Sequence, residues 1–183
     1  MVAEAKLERT DAGLVPVTPG WFVLNVRDAR WIDRGERGYS APLTGWRDDE
    51  AEVMFPQLGI QIAALGPGQP LSMYHWEADQ EDFLILAGEG LLIVEGHERP
   101  LRQWDFAHTP RDAAHTIVGG DNGCVVLAVG SRDNQAGESW GGYAVDEAAI
   151  RHGAGVEEET RDPTVAYARF GESKPTPYGG WLD

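Results

Sequence analysis

The chain has 183 residues, 30 of them acidic and 15 basic, for a formal net charge of -15. One domain is the expectation at this length, with about two-thirds of the unfolded surface buried and no staples needed; the acidic balance excludes nucleic acid or an anionic membrane as a partner, since either demands a basic stripe. The lone cysteine, Cys124, excludes an intrachain disulfide and reads as a small buried strand residue within Gly-Cys-Val-Val-Leu-Ala-Val.

From the start of the chain, Met1 to Arg9 mixes small, acidic and basic residues without a long apolar run. Neither a signal segment nor a spanning helix is expected there, and a cytoplasmic location is. Trp21 to Val26, with Trp31 beyond, predicts one or two added strands before a long Gly, Asp and Arg-rich loop around Gly35 to Glu50. The middle is a series of short apolar runs: Leu58 to Leu65, Phe83 to Leu86, Leu91 to Val94, His115 to Val118 and Cys124 to Val129. Each is strand length and separated from the next by turn chemistry. Gly88-Glu89-Gly90 and Glu95-Gly96-His97 read as hairpin turns, where Gly supplies positive φ. Strands this short and regularly spaced predict an antiparallel all-β sandwich or barrel, because a single sheet would expose an apolar face and both edges. Val145 to His152 has weak helical character. Asp162 reads as an N-cap and Pro163 as the first-turn proline of a helix over Thr164 to Phe170. The Pro and Gly-rich end, Lys174 to Asp183, is expected to lie extended over the body or against a partner chain, covering Tyr178 and Trp181. This divides the chain into N-terminal strands and loop (1-54), a barrel core (55-130), and a helical segment with an extended tail (131-183).

The chemistry concentrates in a sparse polar set. Residues two apart on a strand share a face, so His75 and Glu77 point one way and Trp76 the other. Glu81 follows a bend and opens an alternating strand in which Glu81, Phe83 and Ile85 share a face. If that face is interior, the carboxylate needs a cation or a donor. His115 follows the turn-forming Pro110-Arg111-Asp112-Ala113-Ala114. Two imidazoles and two carboxylates are donor types that hold divalent first-row metals in open geometries. His108 shares a face with Phe106 and is a weak candidate for a catalytic proton shuttle or substrate contact. His97 and His152 read as surface residues, Trp76 and Trp104 as packing between barrel and flanks, and Arg102 and Arg111 as partners in surface ion pairs.

On these residues the stretch from Gly66 to Gly130 resembles the cupin family, small β-barrels of the double-stranded β-helix (jelly-roll) type. His75 matches the first His of the family's first motif, Glu81 its Glu and Gly88 its closing Gly; Pro110 and His115 match the second motif with its internal spacing. The resemblance implies one divalent transition metal held by His75, position 77, Glu81 and His115. Position 77 departs from it, carrying Glu where the motif has a second His. Trp104, Asp112 and Gly119 replace the motif's later Gly, Gly and Asn, and Gln69, with Gly68 beside it, replaces its first Gly. Two carboxylates with two histidines would offset a divalent charge, a set that suits Mn or Fe and admits Zn.

The expectation is therefore a metal-binding cupin acting on or binding a small organic molecule inside the barrel, with the metal as Lewis acid or O₂ site. As an enzyme it would be of the dioxygenase or isomerase type, a choice that fold alone does not make. The alternatives are a non-catalytic module that binds or senses a small molecule, and a metal-free dimeric scaffold. Cupins often pair, and the aromatic flanks supply material for a homodimer interface.

Overall fold

The computed structural model describes residues 1-44, 57-134 and 140-182. In chain order the strands are β1 (Leu7–Thr10), β2 (Gly13–Pro16), β3 (Trp31–Asp33), β4 (Tyr39–Pro42), β5 (Leu58–Leu65), β6 (His75–Glu77), β7 (Glu81–Val94), β8 (His97–Arg102), β9 (Phe106–Thr109), β10 (His115–Ser131), β11 (Gly141–Tyr143) and β12 (Lys174–Thr176). Two short helices, α1 (Glu147–Arg151) and α2 (Pro163–Ala166), lie between the last two strands. Among the described residues no helix is long and apolar enough to cross a membrane.

Two long strands organise the barrel. β7 and β10 pair antiparallel from Glu81↔Gly130 to Val94↔His115, with register shifts between Gly119 and Cys124 and between Val125 and Val126. At this break the pair passes from one sheet to the other. The first half of β7 pairs β9, the second half pairs β8, and the later half of β10 pairs β5. Beyond β5 the sheet continues through β4 and β3 to β12, while the start of β10 meets β6 and then β11. The result is a double-stranded β-helix barrel with two facing sheets.

The glycines at the break are required by space. Gly88 has φ +72°, and a Cβ there would lie 2.2 Å from the carbonyl oxygen of Gly123, which itself has φ +75°. The turn expected at Gly88-Glu89-Gly90 does not form; positive φ at Gly88 produces a bend within one continuous strand. Likewise the two runs His115 to Val118 and Cys124 to Val129 form a single bent strand. The Glu95-Gly96 turn does form, joining β7 to β8 with both central residues at positive φ, as a type I′ hairpin demands. β5 occupies Leu58–Leu65, as the sequence predicts.

Period-two alternation fills the barrel. Phe83, Ile85, Leu92, Ile117, Val126 and Ala128 point between the sheets into one core cluster. Ile93 and Val118 face outward and are covered by Ala148 and Ala149 of α1, whose N-cap Asp146 accepts from the backbone N–H of Ala149. Over β4 and β5, Trp31, Ala41 and Ala64 are covered by Tyr178 and Trp181 of the tail. Trp181 stacks on Tyr39 with ring centroids 3.9 Å apart. The tail thus lies over the body, and its aromatics are covered within the chain.

Three local expectations change. Trp21 to Val26 forms no strand beyond a single bridge from Trp21 to Glu4, and Trp21 and Val23 are exposed. The stretch read as a long loop from Gly35 carries a 3₁₀ turn at Gly35–Arg37 and all of β4, while its part from 45 to 50 lies outside the described residues. The helix opened by Asp162 begins at Pro163 and gives way to turns after Ala166, so it is shorter than Thr164 to Phe170.

Candidate metal centre

Three strands bring the polar set together. His75 and His115 are direct cross-strand neighbours, paired between β6 and β10, and Glu81 opens β7 opposite Gly130 of β10. His115 Nε2 lies 3.1 Å from Glu81 Oε2, and His75 Nε2 lies 3.5 Å from the same oxygen. The imidazole centroids are 5.1 Å apart, and Phe83 packs against His115 at 5.4 Å. His75, Glu81 and His115 each offer a ligand atom within 4.8 Å of the others.

Both rings are oriented by the same local device. His75 Nδ1 donates to the carbonyl of Met73 at 2.8 Å, and His115 Nδ1 donates to that of Ala113 at 2.9 Å. A carbonyl only accepts, so each Nδ1 carries hydrogen and each neutral ring turns the Nε2 lone pair toward Glu81. Two lone pairs facing a carboxylate repel it unless a cation intervenes, either a proton or a metal ion. Burial lowers the pKa of His75, but the carboxylates of Glu77 and Glu81 outweigh it and hold the imidazole well above its usual range. Burial raises Glu81, yet His115 and His75 outweigh it and draw the carboxyl below its ordinary value. The donors fit a divalent metal by chemistry as well as position: two carbonyl-anchored imidazoles and a buried carboxylate.

Glu77 comes close without joining the three. Its Oε1 is 3.3 Å from His75 Nε2, and its side chain is more open to solvent than that of His75. Trp76 points the other way, with the Arg161 guanidinium 5.5 Å from its ring. His108 does not reach the cluster. Period two on β9 buries Ala107 and Thr109 and turns His108 and Phe106 outward, where His108 bonds Asp82 at 2.7 Å. His97 is exposed at the start of β8 and His152 pairs with Glu98 at 2.9 Å, both surface positions as expected. Arg102 and Arg111 make surface ion pairs with Asp105 and Asp112. Trp104 is two-thirds exposed in a turn, so it packs little.

A cavity of about 490 Å³ opens beside the cluster, walled by His75, Glu77, Glu81 and Phe83 on the barrel side and by Tyr143 and Tyr167 from the C-terminal flank. That volume falls within the roughly 300-1,000 Å³ of small-molecule sites. Tyr143 is buried and edge-on to Tyr167, centroids 5.7 Å apart. Burial, followed by the neighbouring Tyr167, raises the Tyr143 hydroxyl, which stays protonated as a donor. Arg34 and Arg37 also line the cavity. None of these four carried a signal in the sequence, because they lie outside the two motif blocks, Arg37 in a stretch read as loop and Tyr167 in one read as helix.

The topology, with the polar cluster and the two motif blocks set into it, is that of a cupin-type double-stranded β-helix barrel. No protein-family model matches the chain, and none of the curated proteins does. Similar solved structures include a candidate sugar phosphate isomerase from Acidithiobacillus ferrooxidans, 31% identical over 42% of this chain and 51% of that one, with a TM-score of 0.39. A sugar phosphate isomerase from a cupin superfamily, from Silicibacter pomeroyi, is 26% identical over 58% of this chain and 62% of its own, with a TM-score of 0.43. KdgF from Halomonas sp. is 16% identical over 57% and 89%, with a TM-score of 0.47. The chain spans about half to three-fifths of the length of the first two. What these establish is the fold, a double-stranded β-helix barrel.

Proposed function

We propose that this cupin-like barrel binds one divalent transition metal through His75, Glu81 and His115, with Glu77 as a fourth donor, and acts on a small organic molecule taken into the adjoining cavity. The observation that supports it is the aim of two carbonyl-locked imidazoles at one buried carboxylate oxygen. A bound metal would supply Lewis-acid polarisation of a substrate oxygen. The chain's own residues do the rest: the Met73 and Ala113 carbonyls fix the ring tautomers, Tyr143 presents a protonated hydroxyl, and the aromatic wall of Tyr143, Tyr167 and Phe83 excludes water. The test is elemental analysis of protein purified without added metal or chelator. About one transition metal per chain is expected in the wild type, and His115→Ala should lose it. No metal even after reconstitution, or unchanged content in His115→Ala, would overturn the assignment.

A further inference from the structure

The 3₁₀ turn between β3 and β4 carries an arginine at each end. Arg34 precedes the turn and Arg37 closes it, three residues apart, the spacing at which side chains of a 3₁₀ turn align. Arg34 N donates to Gly38 O at 2.9 Å and Arg37 N to Arg34 O at 3.3 Å, which fixes the turn. Both side chains line the cavity that His75, Glu77 and Glu81 also line. Arg34 is only 6% exposed. Its Nη1 donates to the Leu71 carbonyl at 2.9 Å, while its Nε and Nη2 are buried with no acceptor. Those two nitrogens form one edge of the planar guanidinium and present parallel N–H bonds, the fork that takes a carboxylate or phosphate with two hydrogen bonds. Arg37 sits over the Tyr167 ring at 4.5 Å and donates to Ser173 Oγ at 3.3 Å; its Nε is likewise buried and unpartnered.

Two guanidiniums of like charge that feel one another, with buried unpartnered donors on side chains that line a cavity and no ion pair to either among the described residues, are unfavourable without an anion. The carboxylates lining the same cavity do not serve, since Glu81 is engaged by His115 and His75, and Glu77 by His75. We infer that Arg34 and Arg37 form an anion subsite of this cavity and that the molecule it takes up carries a carboxylate or a phosphate. The inference rests on the reading of the cavity as a small-molecule site, and it stands apart from whether a metal is bound. Burial, with Arg37 contributing, lowers the Arg34 pKa to about 10 and leaves the guanidinium charged at neutral pH.

Calorimetric titration of the full chain tests this, both metal-stripped and after loading with Mn(II), with metal content measured on every sample. The probes are succinate, glycerol 3-phosphate and, as the neutral control, glycerol. At least one anion should bind where glycerol does not, and the anion that binds names the substrate class. Arg34→Lys keeps the charge but loses the two-bond edge, and should weaken that anion roughly tenfold or more. Arg37→Gln should do the same while metal content stays at the wild-type level; it decides the matter if circular dichroism shows Arg34→Lys unfolded. Arg-dependent anion binding by a chain that holds no metal supports the subsite and removes the metal reading alone. Failure of both anions to bind at millimolar concentration, or equal binding by wild type and the folded Arg variants, overturns the inference.

Discussion

Glu81→Gln isolates the carboxylate on which the candidate centre turns. The substitution keeps the shape of the side chain and removes its charge. Glu81 Oε2 stands 3.1 Å from His115 Nε2 and 3.5 Å from His75 Nε2, so it is close to both imidazoles. A metal that binds only the folded chain stabilises it by RT ln(1 + [M]/Kd), about 2.7 kcal/mol when the free metal is 100 times Kd. For a chain of this size each kcal/mol moves Tm by about 2-4 °C. Wild type should therefore gain roughly 5-11 °C at that concentration. If the lost ligand weakens binding about a hundredfold, the same metal concentration equals the new Kd. The gain then falls to about 0.4 kcal/mol, or on the order of 1 °C. The assay is thermal unfolding of stripped protein at pH 7.5 across a series of Mn(II), Fe(II) and Zn(II) concentrations, alongside metal content after desalting. A Glu81→Gln protein that is folded and keeps the full wild-type shift would refute the reasoning, because the cluster would then hold its metal without the atom that joins it.

Two further outcomes test the barrel itself. Gly88→Ala should cost at least about 3 kcal/mol in urea unfolding, since it combines a left-handed φ with a Cβ 2.2 Å from a backbone oxygen; a cost under about 1 kcal/mol would mean that the bend does not depend on glycine. Burial raises the Cys124 thiol from 9.0 to about 11. A raised folded pKa gives stability that is complete below the unfolded pKa and is lost as pH rises toward the folded one. Wild type should therefore lose about 1.4 kcal/mol more than Cys124→Ala between pH 7 and pH 10, and parallel pH profiles for the two proteins would contradict the burial of the thiol.

What the sequence reveals follows from how local the signal is. A short apolar run bounded by turn chemistry locates β5 to the residue, and period-two alternation places Phe83 and Ile85 on the inner face, because a strand's neighbours one and two residues away decide its pattern. The candidate ligands are legible for a similar reason: polar residues on an apolar inner face need a function or a partner. Gly88 is misread because positive φ serves a strand bend as well as a hairpin turn, and only the close approach of Gly123 distinguishes them. His108 shows the limit of periodicity, which pairs it with Phe106 but does not say which face is inside. In fact both point out. Arg34 and Arg37 are hidden more deeply. Their burial depends on Tyr167, more than a hundred residues away, whose ring lies under Arg37 and whose hydroxyl accepts from the backbone N–H of Met73 at 3.1 Å. Contacts of that separation leave no spacing to read.

The departures from the family motif carry their own physical meaning. Trp104 and Asp112 stand where the second motif has glycine, and both adopt positive φ, +74° and +68°. The backbone keeps the conformation that glycine would take freely, at a cost of roughly 1-2 kcal/mol for an ordinary L residue and less for Asp. Hydrogen bonds impose it. Trp104 N donates to Ile85 O at 2.8 Å, pinning the turn before β9 to β7, and Asp112 N donates to Glu77 O at 2.7 Å. The second bond ties the loop that delivers His115 to the strand that carries His75 and Glu77. The loop is thereby tied beside the cluster, in which the two imidazoles lie 5.1 Å apart with their planes tilted by 42°. Positive φ is thus kept at both positions without glycine, and the register of β6 against β10 sets His75 opposite His115.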